Sequence, residues 1–334
     1  MKAAQINHYS KSIDLKITDI PIPKISKHEV LIKVKVAAVN QLEILNITGA
    51  VKLIQDYPKP LTLGNELTGI IEAAGSEVTN FKKGDKVYTR LPVDKIGAFA
   101  EYVAVDQSAI WFLPTNLDFV TGAGVPLTGL TAYQGLTEIL QVQAGQSVFI
   151  SGGSGSFGQM AVPLAKHLGL HVIVSGNAAA KERILQAGAD RYLNYKKENY
   201  WEVIDKVDFV IDTLGAKEID RELSIIKPGG KLLSLIAGPN KQFAINQNMP
   251  KWKQWVFGVA GAKIDQKAKK HSVEYCFIFV QANGQQLRAI SEIVEKENIV
   301  PKIDSHEFAL EQVNEAITFV KAGHPNGKVV VKLD

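Results

Sequence analysis

The chain has 334 residues, 46% of them hydrophobic and 22% charged, a globular balance with room for two domains. A net charge of +4 is too small to point to nucleic acid or a membrane surface as partner. The single cysteine, Cys276, excludes an internal disulfide framework and any multi-cysteine zinc cluster. The N-terminal residues 1–8 have none of the apolar core of a signal peptide, and no apolar run is long enough to span a bilayer. The expectation is a cytoplasmic protein.

Up to about residue 121 the chain reads as mainly β. Residues 29–39 alternate with period two, placing Lys33 and Lys35 on one face and Ile32, Val34 and Val36 on the other. Pro21 and Pro23 mark the loop before them. Further strands are expected at 67–75, after the turn within 81–88, and at 97–105. Short strands punctuated by glycine suggest a twisted, barrel-like antiparallel domain. From about residue 121 the rhythm changes. A helical stretch at 129–136 leads into strands at 171–175, 190–194, 207–212 and 231–236, with helices near 181–187 and 217–226. An apolar strand at 276–280 closes the series, and such alternation implies a parallel, doubly wound sheet. A helix is expected over 285–296, extended chain over 301–308, a helix over 310–322 stopped by Gly323, and a strand over 327–333. The return to strand implies that the C-terminus rejoins the first domain. Trp252 and Trp255, three residues apart, suit one helix face and are expected in the core. Cys276 is expected to be an inert buried thiol, and Lys267, Lys269, Lys270 and His271 a solvated face.

The most informative stretch is 147–158, an apolar strand followed by Gly152-Gly153-Ser154-Gly155-Ser156-Phe157-Gly158 and an amphipathic helix. Gly153-x-Gly155-x-x-Gly158 has the spacing of a dinucleotide fingerprint. One glycine permits the turn, one admits backbone N–H groups to a pyrophosphate, and one lets helix and strand pack closely. The helix N-terminus adds unpaired N–H groups and partial positive charge. Ser154, Ser156 and Phe157 would present backbone N–H groups to the phosphates. The next strand ends Val174-Ser175-Gly176-Asn177, without the acid that bonds the ribose 2′-hydroxyl in NAD-preferring sites. Ser175 and Asn177 could donate to a 2′-phosphate instead, and Lys181 and Arg183 could add charge. The expected cofactor is NADPH.

Taken together, Leu63-Gly64-Asn65-Glu66-Leu67-Thr68-Gly69, Phe81 to Tyr88, Gly97 to Val103, Pro126 to Tyr133, the glycine turn and Lys227-Pro228-Gly229-Gly230 resemble the medium-chain dehydrogenase/reductase superfamily over nearly the full length. The branch most similar is that of the zinc-free quinone oxidoreductases and alkenal reductases. The resemblance implies an α/β fold with a barrel-like, mainly-β (GroES-like) catalytic domain, at 1–121 and 284–334, and a Rossmann-type NADPH-binding domain at 122–283. It aligns Asn40 with a residue facing the nicotinamide pocket, Thr131 with a threonine beside the nicotinamide, and Tyr195 with a tyrosine packed by the adenosine phosphate. It also implies a homodimer paired along the last strand of the nucleotide domain.

The resemblance also marks a departure. The zinc-dependent branch carries a cysteine where Asn40 stands and a histidine where Asn65 stands, and its four-cysteine lobe is missing here. Neither Asn side chain suits zinc, which takes thiolate, imidazole or carboxylate, so no metal is expected. Without a Lewis acid, hydride transfer to a polarised small-molecule acceptor, a quinone or enone, fits better than alcohol oxidation. A tyrosine found in some quinone reductases five residues after the Asn is Leu45 here. Two alternatives stay open, a zinc-independent alcohol or carbonyl dehydrogenase of the same fold and a non-catalytic NADPH-binding sensor or scaffold.

Overall fold

The computed structural model describes residues 1–323 and 325–333. It comprises two compact units, Met1–Leu130 with Gln281–Asp334, and Thr131–Val280. The chain crosses between units nine residues later than 121 because residues 119–130 pack on the first: the Thr68 hydroxyl donates to the Phe119 carbonyl at 2.7 Å and the Leu127 N–H to Glu66 at 2.7 Å.

The first unit opens with β1 (Lys2–Ile6), β2 (Lys16–Asp19), β3 (Glu29–Val39), helix α1 (Gln41–Thr48), β4 (Leu61–Thr62), β5 (Glu66–Ala74), β6 (Lys86–Arg90), β7 (Tyr102–Asp106), β8 (Ile110–Phe112) and the one-turn helix α2 (Phe119–Gly122). Helix α3 (Pro126–Gln134) leads into the second unit, which holds β9 (Ser147–Ile150), α4 (Ser156–His167), β10 (His171–Gly176), α5 (Lys181–Gln186), β11 (Arg191–Asn194), α6 (Tyr200–Val203), β12 (Val207–Asp212), α7 (Ile219–Ser224), β13 (Ile226–Ser234), α8 (Lys241–Asn246), α9 (Lys251–Lys270) and β14 (Glu274–Phe277). The chain then returns to the first unit with α10 (Gly284–Lys296), β15 (Phe308–Ala309), α11 (Val313–Lys321) and β16 (Val329–Lys332).

In the first unit β3 is the organising strand. It lies between β16 and β5 in a seven-stranded sheet, and β7 also pairs with it. The alternation read from the sequence holds: Ile32, Val34 and Val36 are buried and Lys33 and Lys35 half-buried. Each fully buried branched side chain contributes about 1.5–3 kcal/mol. The pairing of β16 with β3 is what brings the C-terminal segment to the end of the strand from which Asn40 emerges.

The second unit is a parallel six-stranded sheet in the order β11-β10-β9-β12-β13-β14. In sequence terms this is 3-2-1-4-5-6, the doubly wound order, with its switch point between β9 and β12. Lys227-Pro228-Gly229-Gly230 lies inside β13 and makes an irregularity in its register with β12. Cys276 in the edge strand β14 is half-buried, and burial pushes its thiol up to about 12.

Trp252 and Trp255 do not enter the core; they are 56% and 70% exposed on α9. Phe257, Gly261 and Ala268 form the buried stripe of that helix, and Trp255, two residues from Phe257, stands about 200° around the axis from it.

Glu222 on α7 is fully buried, and among the described residues neither carboxyl oxygen has a partner in good hydrogen-bond geometry. Burial and then the nearby charge of Asp212 push it up to about 9. The folded chain therefore holds a proton that the unfolded chain releases, and stability falls as pH rises from the ordinary carboxyl range towards 9. Glu222→Gln removes this dependence. The melting temperature of the variant minus that of the wild type is expected to widen between about pH 5 and about pH 8; a constant difference contradicts the assignment.

Candidate active site

The glycine turn sits at the C-terminal end of β9, at the switch point. A Cβ at Gly158 would lie 1.9 Å from the Gly153 carbonyl oxygen, so only glycine lets α4 start this close to the turn. A Cβ at Gly155 would meet nothing within 4 Å. Gly155 is also the N-cap of α4 and offers no side-chain cap. The first N–H groups of α4 thus open onto free space beside an exposed glycine, an arrangement suited to a pyrophosphate. The turn is braced from below. The Gly152 N–H donates to the Ser175 hydroxyl at 3.3 Å and the Gly153 N–H to the Ser175 carbonyl at 2.9 Å. The Thr213 hydroxyl donates to the Ser151 carbonyl at 2.7 Å.

The predicted nucleotide residues separate into two groups. Ser175 is buried and its hydroxyl serves this bracing. Asn177, Ser154 and Arg183 come together at the end of β10. The Asn177 amide donates to the Ser154 hydroxyl at 3.3 Å, and the Arg183 guanidinium donates to the Ser154 carbonyl at 2.9 Å. The other Arg183 terminal nitrogen is buried without a partner, and desolvation lowers the pKa of this group. Lys181, at the start of α5, is exposed, as is Tyr195 just beyond β11. Ser156 and Phe157, in the first turn of α4, are half-buried. Of the two cationic side chains, it is Arg183 that lies against the turn itself.

In the first unit, Asn40 follows the last residue of β3 and is the N-cap of α1. Its backbone N–H donates to the Glu43 carboxylate at 2.5 Å, and the other Glu43 oxygen accepts from the Asn65 amide at 2.7 Å. Glu43 is fully buried, and burial pushes it up to about 7. Asn65 follows Gly64, where φ is +100° and a Cβ would lie 2.6 Å from the Phe99 nitrogen, so the position tolerates no side chain. Glu66 is also fully buried. One of its oxygens accepts from the Asn40 amide at 2.9 Å and from the Lys328 ammonium at 2.6 Å, the other from the Leu127 N–H. Lys328 is 2% exposed and also donates to the Asn40 side-chain oxygen at 2.5 Å. Arg90, 1% exposed at the end of β6, is lowered to about 10 by desolvation, and its guanidinium donates to the Leu91 carbonyl.

Asn40 and Asn65 therefore converge, as two members of a buried network of carboxylates, carboxamides and one ammonium. No group of three or more His, Cys, Asp or Glu side chains among the described residues could hold a metal ion. Thr131 is buried in α3 as the first residue of the second unit, whereas Asn40 belongs to the first. Sequence reasoning missed Glu43 and Lys328. The first has a signal, an acid three residues after an N-cap asparagine; the second has none, since a lysine before an apolar strand reads as a solvated end.

Two family models match the chain: the alcohol dehydrogenase GroES-like domain over residues 26–115 and the zinc-binding dehydrogenase over 187–331. The human quinone oxidoreductase is 32% identical over 74% of this chain and 75% of its own length. The chloroplastic NADPH-dependent alkenal/one oxidoreductase of Arabidopsis thaliana is 29% identical over 99% of this chain and 79% of its own length. Among solved structures, the quinone oxidoreductase of Coxiella burnetii superposes with a TM-score of 0.82 at 28% identity, covering 100% of this chain and 99% of that one. No helix among the described residues is long and apolar enough to cross a membrane. With a GroES-like unit, a 3-2-1-4-5-6 parallel sheet and a fingerprint turn at its switch point, the chain belongs to the medium-chain dehydrogenase/reductase superfamily, in the branch of the quinone oxidoreductases and alkenal reductases.

Proposed function

We propose that this protein is a metal-independent, NADPH-dependent reductase of quinones or α,β-unsaturated carbonyls. The observation that carries the reading is the donor set around Asn40. Its side chain is tied to an ammonium on one side and a carboxylate on the other, and an ammonium in that position competes with a cation for the same oxygens. A site of this kind cannot polarise an alcohol through zinc, so the acceptor must arrive already polarised.

The nicotinamide supplies the hydride. The N-terminus of α4 and the turn at Gly153–Gly158 take the pyrophosphate. Arg183, Asn177 and Lys181 take the 2′-phosphate, with Tyr195 at its rim; a carboxylate there would repel it. Asn40, in the first unit, would donate to the acceptor, and Thr131, in the second, would contact the nicotinamide. An N–H donor of the chain would stabilise the negative charge that collects on the acceptor carbonyl oxygen during reduction. A proton from water completes the reduction. β14, as the outer strand of its sheet, is where a second copy would add to form a homodimer.

Two outcomes test the cofactor half. Arg183→Ala is expected to raise KM for NADPH roughly tenfold, the weight of one charge-assisted phosphate contact, while leaving KM for NADH within about twofold; equal affinity of the wild type for the two cofactors contradicts the assignment. Gly158→Ala is expected to abolish NADPH binding, read as loss of nicotinamide fluorescence enhancement, with far-ultraviolet circular dichroism retained. Undiminished binding contradicts the role given to the turn.

A further inference from the structure

Within the network around Asn40 the three charged members that tether it, Lys328, Glu66 and Glu43, are buried, and Asn40 is half-buried. The asparagine is thus the member through which the cluster can act on a bound molecule. Its orientation is unambiguous: an ammonium only donates and a carboxylate only accepts, so Oδ1 faces Lys328 and Nδ2 faces Glu66. One Nδ2 proton is committed to Glu66 at 2.9 Å. The only other acceptor of that nitrogen among the described residues is the Ala38 carbonyl, at a long 3.5 Å. The backbone N–H of the same residue is pinned by Glu43.

Such an arrangement is poorly explained by stability. Replacing a buried ion pair by apolar residues of similar volume is often neutral or stabilising. What the pair does here is fix both ends of a carboxamide and polarise it, because a cation on Oδ1 strengthens the donor at Nδ2.

We infer that Lys328 is a positioning residue for the reduction: its ammonium, paired with Glu66, holds the Asn40 carboxamide so that the second Nδ2 proton is presented to the acceptor carbonyl oxygen as negative charge develops. Lys328 itself does not touch the acceptor. The inference rests on the functional reading above and assigns within it a residue that acts through another.

The test is a double-mutant cycle of Asn40→Ala and Lys328→Met, assayed by NADPH oxidation with 1,4-naphthoquinone and with hex-3-en-2-one. Lys328→Met is expected to lower kcat roughly 10- to 100-fold with KM for NADPH nearly unchanged, as for a misplaced transition-state contact. The double variant is expected to lie within about twofold of Asn40→Ala, because both remove one interaction. Should Lys328→Met not fold, Glu66→Gln takes its place in the cycle, with the same non-additivity expected. Independent, multiplicative losses, or a Lys328→Met enzyme as active as the wild type while Asn40→Ala is impaired, overturn the inference and leave the functional reading standing. A wild type that consumes NADPH with neither probe removes the functional reading, and the inference with it.

Discussion

A lysine ammonium buried to 2% exposure must be neutralised and hydrogen-bonded inside the protein, and the way Lys328 meets that demand organises the first unit. Its carboxylate partner, Glu66, begins β5; its amide partner, Asn40, stands just after β3; the lysine itself stands just before β16. Antiparallel pairing of β16 with β3, and of β3 with β5, delivers the three to one place. Removing Lys328 or Glu66 would leave the other's charge unpaired in a low-dielectric surrounding, a loss of about 3–5 kcal/mol. The sheet and the network therefore support one another: the register of three strands determines whether the charges meet, and the charges penalise any other register.

The second unit relies on backbone at its glycine turn. The glycine turn leaves backbone N–H groups uncommitted at the start of α4, while Ser175 and Thr213 hold the turn from beneath. The first unit thus offers preorganised side chains and the second preorganised backbone. Neither feature has to reorganise when charge appears beside it.

The architecture was largely readable from periodicity. The period-two pattern at Ile32, Val34 and Val36 located the central strand, and the strand–helix alternation after the glycine turn foretold the parallel sheet. Local patterns fail where the deciding contacts are distant. Lys328 and Asn40 are 288 residues apart in sequence, and nothing near either residue announces a buried charge. Ser175 is a small hydroxyl at a strand end, suitable for a phosphate by type, but the side-chain alternation of β10 turns it inward to the loop. The two tryptophans of α9 misled because aromatic spacing alone does not say which face is buried; Phe257, Gly261 and Ala268 decide that. Asn40 came from family resemblance, and only the structure supplied a reason for an asparagine there, two tethers of opposite charge.

The proposed reduction passes hydride from a nicotinamide to an activated double bond or quinone without a metal. Its most direct test follows label from NADPH deuterated at C4 on the transferred face into an enone, read by proton NMR of the product, with a metal chelator present throughout. The account predicts deuterium at the β-carbon and an undiminished rate under chelation. Turnover that disappears on chelation and returns with zinc, or product lacking deuterium at that carbon, would contradict it.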